Sequence, residues 1–98
     1  MNIQESRYTP RERVTLPVKL GDGGKGITRD ISASGLFFES STQQQVGAMV
    51  DIEVFFDRPG TPLKLKARGT VIRVERGVGP GKSGVALRLL DSFLDPVV

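Results

Sequence analysis

The sequence has neither cysteine nor histidine among its 98 residues. Without cysteine the chain can form no disulfide and no thiolate metal site. Without histidine it lacks the commonest general base and the commonest neutral metal ligand. A glycine-rich segment, Gly77–Gly84, carries Lys82 and Ser83 but not the spacing of a nucleotide-binding phosphate loop. We therefore expect no enzymatic activity, no catalytic residue, no metal site and no cofactor.

Long apolar segments are also missing. No run approaches the roughly 20 residues that a membrane helix needs, and residues 1–6 have no apolar signal-peptide core. Apolar residues make up 38% of the chain and charged residues 26%, which is ordinary for a globular protein. The length fits one domain with little core to spare. We expect a cytoplasmic protein with no membrane span.

Several short segments alternate apolar and polar residues with the period of two that is typical of half-buried strands. Turns rich in glycine and proline separate them, and no helical pattern of useful length is present. Strands are predicted over residues 14–20, 26–32, 36–38, 48–56, 63–74 and 85–89. Short antiparallel strands at this spacing indicate a small barrel or sandwich. A six-stranded antiparallel β-barrel is favoured because closure removes exposed sheet edges.

Three further features refine this all-β prediction. The alternation changes parity after Gly69, which predicts a β-bulge or bend there. Residues 77–82 are predicted to be a mobile hairpin loop. The chain is then divided into a flexible N-terminal arm over 1–12, a barrel over 13–91, and a short tail or helical turn over 92–98.

The mild positive charge is unevenly distributed. Arg7, Arg11 and Arg13 lie in the N-terminal segment, outside any periodic element. A guanidinium is planar, always charged, and can bind phosphate oxygens or the O6/N7 edge of guanine through two hydrogen bonds. On spacing alone these arginines could equally be solvated residues of a tail. A later set is predicted to be the solvent face of a strand: Lys64, Lys66, Arg68, Arg73 and Arg76.

A polar turn over Asp30–Gly35 separates two apolar segments. Because side chains alternate along a strand, Asp30 and Ser32 should point to one face while Ile31 points to the core. A carboxylate suits the two adjacent N–H donors of guanine, and Gly35 permits close approach to the backbone. The hydroxyls of Ser32 and Ser34 could instead tie the turn to itself.

These two motifs, in this order, resemble those of the PilZ domain, the bacterial receptor for cyclic di-GMP. The Arg-x-x-x-Arg element is Arg7–Arg11, and the Asp-x-Ser-x-x-Gly element is Asp30–Gly35. The Leu-Pro-Val within Val14–Val18 and the final strand Gly84–Leu89 are also similar to the family. The resemblance extends from about residue 7 to 91.

The resemblance implies a six-stranded barrel with cyclic di-GMP bound between the arm and the barrel. Ser6 stands where a further arginine often precedes the motif. Glu12 follows Arg11 where apolar or small residues are usual, and it could pair with Arg11 and weaken the contact of Arg11 with the ligand, which Arg13 could replace. The predicted ligand-binding residues are Arg7, Arg11, Arg13, Asp30, Ser32, Ser34 and Gly35. A non-enzymatic receptor of this kind would signal by ordering its arm to a downstream effector protein. The sequence is compatible with one or two ligands bound per chain, and with a monomer or a homodimer.

Two alternatives follow from the same sequence. The first is a PilZ-like adaptor that acts through protein contacts without binding nucleotide. The second is a small barrel that binds single-stranded nucleic acid on aromatic platforms. Its candidate platforms are Tyr8, Phe37, Phe38, Phe55 and Phe56. The four phenylalanines lie in predicted strands and are expected in the core or an interface, so no DNA partner is expected.

Overall fold

The computed structural model describes residues 12–56, 60 and 62–96. All regular structure in this part of the chain is β-strand. The strands are β1 (Glu12–Arg13), β2 (Pro17–Leu20), β3 (Lys25–Ile31), β4 (Gly35–Ser40), β5 (Met49–Phe56), β6 (Leu63–Gly79) and β7 (Lys82–Pro96). Among these residues no helix is long and apolar enough to cross a membrane.

The strands form a closed antiparallel barrel. Around the ring the order is β3, β2, β5, β6, β7 and β4, and β4 pairs again with β3 to complete it. These six strands make the barrel, which confirms the predicted fold class. The two-residue strand β1 adds to the far end of β3 and lies outside the ring.

Alternation along the strands creates the core. Val18 and Leu20 of β2 are both 2% exposed, while Lys19 between them faces solvent. The same alternation runs through β5 from Met49 to Val54, and the most deeply buried apolar side chains of the barrel are Phe38, Val54, Val71, Val85 and Leu87. Burial of alternate side chains on one face fixes the register, since a slip of one residue would expose them.

The predicted irregularity near Gly69 is present. The β6–β7 ladder shifts register between Arg68 and Gly69 and again between Val71 and Arg73. A Cβ at residue 69 would lie 2.8 Å from the carbonyl oxygen of Arg88, so glycine allows the two strands to stay close at the bulge.

Three parts of the chain differ most from the prediction. Residues 14–16 belong to no strand, and β2 begins at Pro17, which has no N–H to donate. The expected loop over 77–82 is mostly strand, since β6 reaches Gly79 and only residues 80–81 connect it to β7. Finally, β7 continues to Pro96, through most of the segment assigned to a tail over 92–98, because it pairs with the first part of β6.

Candidate functional site

Strand β1 brings the chain into the barrel beside the Asp30–Gly35 motif. Arg13 lies directly opposite Asp30, and Glu12 lies opposite Ile31. Directly opposed residues share one face of a sheet, so Arg13 and Asp30 are neighbours on the outside of the barrel. The predicted ligand-binding residues Arg7 and Arg11 lie outside the described residues.

Thr28 holds the segment between β1 and β2 against β3. Its hydroxyl donates to the carbonyl oxygen of Val14 and accepts from the backbone N–H of Leu16 at 2.8 Å. The Thr28 side chain is completely buried. Because residues 14–16 are outside any strand, this hydroxyl supplies contacts that a regular ladder would otherwise make, and it holds the chain just after β1 ends.

The turn after β3 is held by its own hydrogen bonds. The N–H of Ser32 donates to the carbonyl oxygen of Gly35 at 2.9 Å. The Ser32 hydroxyl accepts from the N–H of Gly35 at 3.2 Å, and the carbonyl oxygen of Ser34 accepts from the N–H of Leu89 at 3.0 Å. The Ser32 hydroxyl therefore ties the turn to itself, as one of the two interpretations of the sequence proposed. The Ser34 side chain is exposed to solvent.

Gly35 suits the close approach of β4 to β7. A Cβ at this position would lie 3.0 Å from the carbonyl oxygen of Leu87. Ile31 packs against the core, while Asp30, one residue earlier, is half-buried and lies opposite Phe37. This is the alternation that the sequence indicated.

A cavity of about 400 Å³ opens on this outer face. It brings together the barrel-side residues of the motif with two arginines from β6 and β7. Its polar and charged lining is Asp30, Ser32, Ser34, Arg73 and Arg88, and Gly35 also lines it. The two added arginines were not predicted as site residues. Arg73 was assigned to the solvent face of a strand, and only the strand register reveals that it and Arg88 share this surface.

A second cavity of about 560 Å³ lies elsewhere on the barrel. Its lining has three cationic and three acidic side chains: Lys19, Lys66, Arg68, Asp51, Glu53 and Asp91. Arg68 donates to Asp51 at 2.8 Å, and this hydrogen bond and the charge of Asp51 raise the pKa of Arg68. The smaller cavity has two arginines and one acid in its lining. We therefore take the smaller cavity as the candidate site for an anionic ligand, although it has less volume.

The aromatic side chains give little support to a surface for stacking bases. Phe38 is fully buried, and Phe56 packs against the core. The Phe37 ring lies against Gly84, where a Cβ would overlap it, and Arg73 lies over it at 5.7 Å from the ring centre. Phe55 is half-buried on the outer face of β5, and Tyr8 is outside the described residues. Phe38 and Phe56 are thus in or against the core, as expected.

Comparison with known proteins adds two findings. The family model of the PilZ domain matches residues 4–93, whereas no curated protein matches the sequence. The fold is similar to that of the Bacillus subtilis inhibitor of motility, with a TM-score of 0.74 and 16% identity. That match covers 87% of this chain but 42% of the other, so this chain spans less than half its length. At this identity the likeness concerns the fold alone.

Proposed function

The chain belongs to the PilZ domain family, and we propose that it is a non-enzymatic receptor that binds cyclic di-GMP between its N-terminal arginines and the outer face of the barrel. The observation that carries the proposal is the pairing of β1 with β3. This pairing sets Arg13 opposite Asp30, which lines the 400 Å³ cavity. The chain therefore joins the barrel beside the acidic residue of the second motif.

The arginine motif is tethered close to that point by covalent geometry. Arg11 directly precedes Glu12, and Arg7 comes five residues before it. An extended chain spans at most about 3.6 Å per residue, which limits the distance between the Cα atoms of Arg7 and Glu12 to roughly 18 Å. Both guanidinium groups can thus reach a ligand on the outer face next to β1.

The proposed roles follow from the chemistry of each group. Arg7 and Arg11 bind phosphate oxygens and the acceptor edge or face of a guanine. Asp30 accepts hydrogen bonds from the N1–H and amino group of a guanine. Ser32 keeps the turn in shape through its bonds to Gly35, and Arg13 and Ser34 add polar contacts at the margin.

Signalling follows from the same arrangement. The turn is held by its own hydrogen bonds, so we assign the change on binding to the arm. Ordering the arm over the ligand would present a new surface to a downstream effector protein. Ordering of this kind reduces the net binding free energy.

Calorimetric titration with cyclic di-GMP tests the proposal. We expect saturable binding by the wild type and a loss of at least ~10-fold in affinity, about 1.4 kcal/mol, for Arg7→Ala and for Arg11→Ala. Arg76→Ala is the matched control, because Arg76 is exposed on β6 and does not line the cavity. The fitted stoichiometry distinguishes one bound ligand from two.

Absence of heat at tens of micromolar ligand would contradict the receptor proposal. Arm variants that then change only the capture of an effector protein would support the adaptor alternative. Equal affinities for Arg7→Ala, Arg11→Ala and Arg76→Ala would instead show that the ligand binds away from the arm.

A further inference from the structure

We propose that Arg73 and Arg88 form a second cationic wall of the ligand site, which binds the half of the dinucleotide that the two sequence motifs leave uncovered. This inference rests on the proposed function. It assigns binding roles to residues of β6 and β7 that belong to neither motif.

The strand register carries the argument. Directly paired residues of antiparallel strands share a face, so successive pairs define a row across the outside of the barrel. One such row crosses β3, β4, β7 and β6 and consists of Asp30, Phe37, Ala86 and Arg73. Beside it, Gly35 of β4 lies opposite Arg88 of β7. Both arginines therefore continue rows that begin at the motif.

The distance between Asp30 and Arg73, the two ends of the row, is short enough for one ligand to contact both. Adjacent strands lie about 4.8 Å apart, so three steps separate the backbones of Asp30 and Arg73 by roughly 14 Å. Cyclic di-GMP has two guanines and two phosphates, and Asp30 can pair with only one guanine. The other half then lies over β7, next to Arg73 and Arg88.

The two arginines differ in how they are held. Arg73 donates to Glu75 at 2.8 Å and lies over the Phe37 ring at 5.7 Å, within the range of a cation–π contact. Phe37 is itself fixed against Gly84. The guanidinium of Arg73 is thus oriented in advance, and its outer face suits stacking on a guanine.

Arg88 is exposed and forms no ion pair within the part of the chain that the structure describes. Its only acidic neighbour in the cavity lining is Asp30. A guanidinium that is not neutralised by a carboxylate can turn towards a phosphate group and bind it through two hydrogen bonds. We therefore assign phosphate binding to Arg88 and base stacking to Arg73.

Calorimetry with cyclic di-GMP on the full chain tests the two assigned roles. At each arginine, alanine removes both the charge and the planar group, whereas lysine keeps the charge and removes the planar group. We expect Arg88→Ala to weaken binding ~10-fold and Arg88→Lys to restore most of the loss, since an ammonium still binds phosphate as a point charge. Arg73→Ala should weaken binding ~5-fold or more, and Arg73→Lys should stay as weak, since lysine cannot stack. Arg76→Ala should bind like the wild type, and thermal unfolding should be the same for all five variants.

The outcomes distinguish this inference from the function on which it rests. If the wild type binds and the Arg7 and Arg11 variants lose affinity, but the Arg73 and Arg88 variants match Arg76→Ala, the second wall is wrong and the receptor proposal stands. If Arg73→Lys binds like the wild type, the stacking role of Arg73 is wrong. A wild type that does not bind cyclic di-GMP overturns both proposals.

Discussion

At the scale of single residues, Thr28 has more structural influence than its sequence context indicated. It lies in a predicted strand and attracts no attention as a site residue. In the structure its buried hydroxyl both donates to the carbonyl of Val14 and accepts from the N–H of Leu16. Removing the hydroxyl would leave two backbone groups at the entrance to the barrel without their partner.

Thr28→Val tests this role, since valine has nearly the same shape and no hydroxyl. We expect the free energy of unfolding to fall by about 1–3 kcal/mol, the usual cost of an unsatisfied buried polar group. Urea denaturation followed by circular dichroism measures the change. Thr15→Val, at an exposed neighbouring position, is the control and should stay within about 0.5 kcal/mol of the wild type. Equal stability of the two variants would contradict the role.

The residue scale also shows how far the site could be predicted from sequence. Asp30 and Gly35 were recognisable because they lie within six residues of each other in one turn. Arg73 and Arg88 come from two distant segments and resemble ordinary strand arginines. Their position beside the motif depends on the pairing register of β4, β6 and β7, which short-range patterns do not specify.

At the scale of elements, the pairing of β3 with β4 depends on a close approach of their backbones. A Cβ at Gly26 would overlap the backbone carbonyl oxygen of Glu39. The neighbouring pair Arg29 and Glu39 joins the same two strands by an ion pair whose acid is mostly buried. A backbone atom cannot move aside as the end of a flexible side chain can, so this contact limits residue 26 to glycine.

Gly26→Ala is therefore expected to destabilise the barrel by about 1–3 kcal/mol, as overpacking of a tight site does. The control is Gly79→Ala on β6, where the nearest atom to the new Cβ would be 3.7 Å away. That substitution should be neutral or slightly stabilising, because alanine reduces the entropy of the unfolded chain. Thermal or urea unfolding of both variants measures the difference, and a Gly26→Ala protein as stable as Gly79→Ala would refute the argument.

The elements differ in how well the sequence specified them. In the eight-residue strand β5 a buried apolar side chain recurs at every second residue from Val50 to Val54, with exposed or half-buried residues between them. The end of β7 could not be predicted in this way, because Phe93 and Leu94 are both more than half exposed. That segment is a strand because its backbone pairs with β6, with Lys66 opposite Phe93 and Leu65 opposite Leu94. A period of two in apolar residues indicates which side chains are buried, but it does not indicate which backbone segments pair.

At the scale of the whole molecule, the barrel closes without the arginine arm. Every strand of the ring begins at Pro17 or later, and the first buried apolar core residue of the described chain is Val18. Among the described residues, β1 is the strand next to the arm, and it joins the sheet through its pairs with Asp30 and Ile31. Folding and ligand binding should therefore be separable by truncation.

A chain that lacks residues 1–11 tests this separation. We expect cooperative unfolding with a Tm within a few degrees of the full chain, because the truncated chain keeps every ring strand and every buried core residue of the part that the structure describes. Loss of both Arg7 and Arg11, at ~10-fold each, should lower the affinity for cyclic di-GMP by ~100-fold if their effects add. Excess ligand should accordingly raise the Tm of the full chain and leave that of the truncated chain almost unchanged. A truncated chain without a cooperative transition would show that the arm belongs to the fold, and one that binds normally would exclude the arm from the site.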